Sequence, residues 1–143
     1  MPTQSPIDIW SMSLLTNQSE FVDFKSILSD TELQRANRFH NIDHQQRAIV
    51  SAAKLRIILA RYLQRDPRDI VYQLGSHGKP FIENFPLHFN MSHSADQCVI
   101  AVSRDAPLGI DVEHQRDKID IHGLIRKVLT ENEQRNFSQL SPT

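Results

Sequence analysis

Acidic and apolar side chains alternate in the segment Gly109-Ile110-Asp111-Val112-Glu113. In an extended strand alternate residues share a face, so Asp111 and Glu113 would point to one side and Ile110 and Val112 to the other. The two acidic Cα atoms would lie about 7 Å apart, which lets both carboxylates reach one hard cation. Mg²⁺ usually takes one or two carboxylates and completes its coordination with water and substrate phosphates. The pattern permits a magnesium site, although a solvent-facing strand without metal would also produce it.

A second polar cluster, Asn90-Met91-Ser92-His93-Ser94, lies where a predicted strand ends. A serine beside a histidine is found in hydrolases, but sequence neighbours seldom have nucleophile–base geometry and no Gly-x-Ser-x-Gly elbow is present. Small polar donors at a strand end suit phosphate binding better. An ordinary turn is the alternative interpretation.

Basic side chains supply a third feature. Lys79 follows Gly78 and precedes Pro80, and a lysine in a proline-stiffened loop can reach a phosphate, although the sequence is not a P-loop. Residues 35–68 contain eight Arg and Lys against two Asp. The forked donors of Arg suit a phosphate-bearing partner, and a solvated helix face is the alternative.

Hydrophobic periodicity predicts the elements that must position these groups. It indicates an edge strand over Ile7–Met12, helices over Ser19–Leu28 and from Ser29 onward, and a long helix over Asp43–Gln64 that Pro67 stops. Strands are predicted over Ile70–Leu74, Leu87–Met91, Gln97–Ser103 and Leu108–Glu113, followed by helical segments over Ile121–Val128 and Glu131–Leu140. This order predicts an α+β fold in which a small antiparallel sheet packs on the long helix.

Composition narrows the class of protein. The 143 residues, 39% of them hydrophobic, suffice for one domain with a core. A single cysteine, Cys98, excludes an internal disulfide and a cysteine-based zinc site. With neither a long apolar run nor a visible secretory leader, we expect a cytoplasmic protein without a membrane partner. The pI of 6.6 and a basic run without interleaved aromatic residues argue against nucleic acid.

The order of the motifs is more specific than any one of them. His77-Gly78-Lys79-Pro80, His88 to Ser94, and Leu108 to Glu113 together resemble the large, single-chain type of 4′-phosphopantetheinyl transferase. Arg35-Ala36-Asn37-Arg38-Phe39, followed by Arg47, resembles that family's basic segment at the start of its long helix. The likeness covers roughly Ile7 to Leu140. Members of the family transfer the phosphopantetheine arm of coenzyme A to a serine of an acyl or peptidyl carrier protein and release 3′,5′-ADP.

The resemblance implies a role for each matched residue. Magnesium ligands are implied at Asp111 and Glu113. Coenzyme A contacts are implied at Lys79, Ser92 and His93, which would meet its phosphates, at Arg47, near the nucleotide, and at the upstream basic position Arg35. Asn90 is expected to shape its loop rather than touch the ligand.

The resemblance also implies an architecture, namely one lobe of a pseudo-two-fold transferase. Residues 1–115 would form the N-terminal lobe with the coenzyme A and metal half of the site. Residues 116–143 would form an inter-lobe helical segment and the start of a C-terminal lobe.

The chain departs from the family pattern at several positions. Glu32 stands where a basic residue is common, and His44 stands where an acid is common. The family's Trp-x-x-Lys-Glu-Ala-like helix, which supplies a third acid and the general base, has no match after Glu113, and the only tryptophan is Trp10. We therefore expect a chain truncated before that motif, with no catalytic base of its own. The alternative is an inactive remnant that binds nucleotide or carrier protein, or that forms a homodimer through its exposed inter-lobe face.

Overall fold

The computed structural model describes residues 6–114 and 126–139, and the predicted α+β class is confirmed. The chain divides into two compact units, Met1–Glu113 and His114–Thr143. The first unit contains β1 (Asp8–Ser13), α1 (Gln18–Ser26), α2 (Asp30–Asn37), α3 (Ile42–Leu63), a 3-10 turn (Pro67–Asp69), β2 (Gln73–Leu74), β3 (Pro80–Phe81), β4 (His88–Ser94) and β5 (Gln97–Ser103). The second unit contains α4 (Glu131–Ser138).

Helix α3 is the long helix predicted from the periodicity. It starts after Asn41, whose side-chain oxygen accepts hydrogen bonds from the backbone N–H groups of Asp43 and His44 at 2.8 and 3.2 Å. It ends at Leu63, and the next residue, Gln64, adopts a left-handed conformation with φ of 52°. The buried side of the helix includes Val50, Ala53, Ile58 and Leu63.

Strands β1, β5 and β4 form a three-stranded antiparallel sheet with β5 in the centre, so the prediction that β1 is an edge strand is confirmed. Trp10, Ile100 and Met91 are directly paired across the sheet and share one face. Ile100 is fully buried and belongs to the same core as Val50 and Leu59 of α3. The sheet therefore packs on the long helix, as predicted, and this packing fixes which face of β4 remains for other contacts.

The predicted strand over Leu108–Glu113 is wrong. The segment is assigned no strand and has no ladder partner among the described residues. Its side chains nevertheless alternate as expected, with Ile110 and Val112 half-buried and Asp111 and Glu113 exposed. The physical reason is that its backbone N–H groups donate to side chains of β4 instead of to strand carbonyls.

Two other predicted segments differ in extent. The strand predicted over Ile70–Leu74 shortens to the two residues of β2, which pair with β3. The helix predicted over Glu131–Leu140 is confirmed as α4. Most of the helix predicted over Ile121–Val128 lies outside the described residues. Its last three residues, 126–128, are described and are helical.

Candidate active site

Two side chains of β4 hold the acidic segment in place. The Asn90 side-chain oxygen accepts a hydrogen bond from the Ile110 N–H at 3.0 Å, and the Ser92 hydroxyl oxygen accepts one from the Val112 N–H at 3.1 Å. Asn90 and Ser92 are two residues apart in a strand, so they share a face, and this face is opposite to the one that packs on α3. The spacing of the acceptors matches the spacing of alternate N–H groups in the extended segment. Asn90 thus shapes the segment, as expected from the sequence.

Ser92 also contacts one of the two predicted metal ligands. Its hydroxyl donates to Asp111 Oδ1 at 3.0 Å while its oxygen accepts from the Val112 N–H. These two bonds orient both the hydroxyl group and the carboxylate. The implied contact between Ser92 and a phosphate stays a prediction, because the hydroxyl in this structure serves the acidic segment.

The donor set at this position suits a magnesium ion. Asp111 and Glu113 lie on the exposed side of the segment and offer hard carboxylate oxygens. In the described parts of the chain, no group of three or more acids, histidines or cysteines gathers where it could hold a metal. Within the described residues, a Mg²⁺ ion bound here would have two candidate carboxylate ligands, and substrate phosphates and water ordinarily complete such a coordination.

Lys79 lies beside the same segment. Its Nζ donates to the carbonyl oxygen of Leu108 at 2.7 Å, three residues before Asp111. The turn that carries Lys79 is closed by hydrogen bonds between Gly75 and Lys79 and between Gly78 and Gly75, each 2.9 Å long. Gly78 has a φ of 73°, a conformation that disfavours any side chain.

A cavity of about 310 Å³ opens next to this lysine. Its walls include Pro80 and Phe81 of β3, Leu87, and Phe89 of β4, so they are largely apolar. His77 and His88 also line it. The cavity combines a largely apolar wall with the cationic side chain of Lys79, which suits an apolar ring that carries phosphates.

The remaining predicted contacts lie elsewhere on the lobe. Arg47, in the second turn of α3, forms an ion pair with Asp96 at 3.1 Å, and Asp96 lies in the turn between β4 and β5. His93 is exposed, and pairing with buried Cys98 places it on the face of the sheet that packs on α3, opposite to Ser92. Arg35 is exposed in the last turn of α2, and its side chain forms no hydrogen bond or ion pair with another described residue. Among these predicted site residues, Ser92 contacts Asp111, whereas Arg35 contacts none of the others within the described part of the chain.

The sequence did not reveal the partner of Arg56, which belongs to the basic run. Its side chain is only 3% exposed and forms a salt bridge with Glu32 of α2. Its guanidinium also donates to the carbonyl oxygens of Pro67 and Ile70 at 2.8 and 3.0 Å. Arg56 is therefore structural rather than available to a phosphate. The acid at position 32, where the family commonly has a base, is explained by this pairing.

The lone cysteine contributes no nucleophile. Cys98 is fully buried in β5, and this burial raises the pKa of its thiol to about 11. Burial likewise raises the pKa of the Tyr72 hydroxyl. Neither group is ionised near neutral pH.

Residues 15–105 match the family model described as 4′-phosphopantetheinyl transferase, N-terminal. The chain belongs to this transferase family. The family recognised in the sequence motifs is therefore confirmed, as is the enzyme class, transferase, at the level of the family. The match includes α3, the β4–β5 hairpin and all the residues that line the cavity beside Lys79 except Pro107.

Individual relatives agree with the family. The chain is 34% identical over 125 residues to the 4′-phosphopantetheinyl transferase HetI of Nostoc sp., a match that covers 85% of the chain and 53% of the relative. It is 33% identical over 98 residues to the transferase Sfp of Bacillus subtilis, with coverage of 68% and 43%. The chain thus spans about half, or less, of the length of these curated relatives. No helix in the described residues has the length and apolarity needed to cross a bilayer.

Proposed function

We propose that this chain carries the coenzyme A and Mg²⁺ portion of a 4′-phosphopantetheinyl transferase site, in a cytoplasmic protein. The observation that carries the proposal is the pair of exposed carboxylates, Asp111 and Glu113, in a segment held by Asn90 and Ser92. The names of the relatives support the reaction class. The partners proposed are coenzyme A and an acyl or peptidyl carrier protein.

In the proposed reaction, a serine oxygen of the carrier protein forms a bond to the phosphorus that bears pantetheine. The pyrophosphate P–O bond breaks, 3′,5′-ADP leaves with the electron pair, and the serine proton passes to a base. Lys79 and Arg47 would neutralise phosphate charge and fix the nucleotide. Asp111 and Glu113 would hold Mg²⁺, which when bound would neutralise charge on the pyrophosphate.

The cavity beside Lys79 would accept the adenine ring. A nucleobase is flat and largely apolar on its faces, and the cavity walls include Phe81, Phe89 and Pro80. Its volume of about 310 Å³ admits one such ring with its ribose. With adenine there, the phosphates would extend toward Lys79 and the acidic segment that Lys79 contacts through Leu108.

A non-catalytic binding module is the alternative function. It is favoured by one observation, namely that no third acid joins Asp111 and Glu113 within the described residues. In that case the chain would bind nucleotide or carrier protein without transferring the arm. Formation of a homodimer through the inter-lobe face expected from the sequence is a separate proposal.

The two functions are separated by intact-mass measurement of an apo carrier protein. The carrier is incubated with coenzyme A, Mg²⁺ and either residues 1–143 or a fusion of this chain to the C-terminal portion of the Nostoc relative. If the chain is part of a transferase, the carrier protein incubated with the fusion should gain the mass of one phosphopantetheine arm. Asp111→Ala in the fusion should prevent this gain. A folded fusion that binds coenzyme A but adds no mass would favour the binding module.

A further inference from the structure

The ion pair between Arg47 and Asp96 joins the long helix to the β4–β5 hairpin. Both Nε and Nη2 of Arg47 lie 3.1 Å from the same oxygen, Oδ1 of Asp96. The residues are 49 positions apart in the chain, so the contact exists only in the folded lobe. The pair is at the surface, with side chains 33% and 43% exposed. Surface pairs of this kind contribute little to stability, about 0–1 kcal/mol.

The hairpin turn that carries Asp96 is fixed by its backbone conformation and by a hydrogen bond to β1. Ala95, the first residue of the turn, has a φ of 49°, and such left-handed conformations fit the twist of a two-residue hairpin. The carbonyl oxygen of Asp96 accepts a hydrogen bond from the Leu14 N–H at 2.6 Å, which ties the turn to the end of β1. The carboxylate is thus presented to Arg47 from a fixed backbone.

The geometry leaves one edge of the guanidinium group available. Asp96 takes the side edge, formed by Nε and Nη2, whereas the end edge formed by Nη1 and Nη2 makes no hydrogen bond to another described residue. A forked pair of donors of this type fits two oxygens of a phosphate. The ion pair borders a cavity of about 220 Å³ whose walls also include Leu14, Thr16 and Gln46.

We propose that Asp96 is a positioning residue, which fixes the plane of the Arg47 guanidinium so that its end edge meets a phosphate of coenzyme A. This inference rests on the proposed function, because it takes coenzyme A as the ligand. The physical basis is entropic. An arginine that is already held loses less conformational freedom when it binds, and ordering a free long side chain costs about 0.5–1.5 kcal/mol.

Asp96 could instead weaken coenzyme A binding, so the direction of the affinity change on its removal distinguishes the two roles. Asp96 carries a negative charge, and Asp43 also lines the cavity, so both could repel a phosphate. If Asp96 competed with the ligand for Arg47, its removal would tighten binding. If Asp96 positions Arg47, its removal weakens binding.

Calorimetric titration of coenzyme A into residues 1–143 with Mg²⁺ tests the proposal. We expect Asp96→Ala to weaken binding about 3- to 10-fold and Asp96→Asn to stay within about twofold of the unmodified chain, because the amide keeps the acceptor oxygen. Asp105→Ala removes the same charge from an exposed turn after β5 and should have little effect. In an Arg47→Ala background, Asp96→Ala should cause no further loss, whereas a general structural role would persist.

Each other result overturns the proposal in a different way. Tighter binding in both Asp96 variants would show competition. Unchanged binding in Asp96→Ala, or an equal loss with and without Arg47, would show that Asp96 does not act through Arg47. If the unmodified chain binds no coenzyme A, both this inference and the proposed function fail. If it binds and only the Asp96 variants behave otherwise than expected, the proposed function stands.

Discussion

Removing the Ser92 hydroxyl is the most informative perturbation of the candidate site. Ser92→Ala deletes the acceptor of the Val112 N–H and the donor to Asp111. Because Asp111 is exposed and can bond to water instead, we expect the free energy of unfolding to fall by only about 1 kcal/mol. Partners that orient a metal ligand have a larger effect on the metal, typically 10–100-fold in affinity. For an exposed carboxylate we expect the lower end, about 10-fold.

The assay separates a positioning role from a direct phosphate contact. Coenzyme A is titrated by calorimetry at a series of Mg²⁺ concentrations. If Ser92 orients Asp111, the Mg²⁺ concentration that gives half-maximal binding rises about 10-fold in Ser92→Ala, and saturating Mg²⁺ restores the affinity. If Ser92 contacts a phosphate directly, the loss persists at every Mg²⁺ concentration.

A matched control lies in the same row of the sheet. Ser11 of β1 pairs with Val99, which pairs with Ser92, so all three side chains share a face. Ser11→Ala removes an exposed hydroxyl and should leave the Mg²⁺ dependence unchanged. A Mg²⁺ midpoint in Ser92→Ala equal to that of the Ser11 control would refute the positioning of Asp111 by Ser92.

Three further predictions address the rest of the lobe. Arg56→Ala leaves Glu32 without its partner and should lower the free energy of unfolding by about 3–5 kcal/mol in urea, whereas the exposed Arg65→Ala should change it by less than about 0.5 kcal/mol; equal effects would show that the buried pair is not structural. Because the Cys98 pKa is raised to about 11, alkylation at pH 8 should be about 100-fold slower or more in the native chain than in urea. The native state favours the neutral thiol, so its contribution to the free energy of unfolding should be lost as the pH rises from the ordinary thiol pKa toward 11. Fast labelling of the native chain would contradict this prediction. Residues 1–143 alone should label a carrier protein about 10²–10⁴-fold more slowly than the fusion to the longer relative, and equal rates would point to a proton acceptor from a second copy of the chain.

Features set by local periodicity could be predicted from the sequence. The apolar spacing in α3 and the central strand β5 follow from the requirement that one face be buried, and β5 was predicted with its observed bounds, Gln97–Ser103. The alternation in the acidic segment was also predictable. Its strand assignment failed because alternation reports which side chains are buried, not which group accepts the backbone hydrogen bonds.

Features that depend on distant partners could not be predicted in this way. Arg56 meets Glu32 across 24 residues, and Arg47 meets Asp96 across 49. All four are charged residues whose types suit a solvated surface equally well, so only the tertiary fold shows which of them are paired. The burial of Arg56 removes one cation from the basic run, and Arg47 is paired with Asp96 at the surface.

Calorimetry on three forms of the chain measures whether the Asp111–Glu113 segment makes coenzyme A binding depend on Mg²⁺. The unmodified chain should bind coenzyme A more tightly with Mg²⁺ than without it. Asp111→Ala should remove this difference while the fold persists. Val112→Ala, in which the neighbouring half-buried side chain is shortened, should keep the difference despite some loss of stability. Undiminished Mg²⁺-dependent binding by Asp111→Ala would show that Asp111 does not hold the ion.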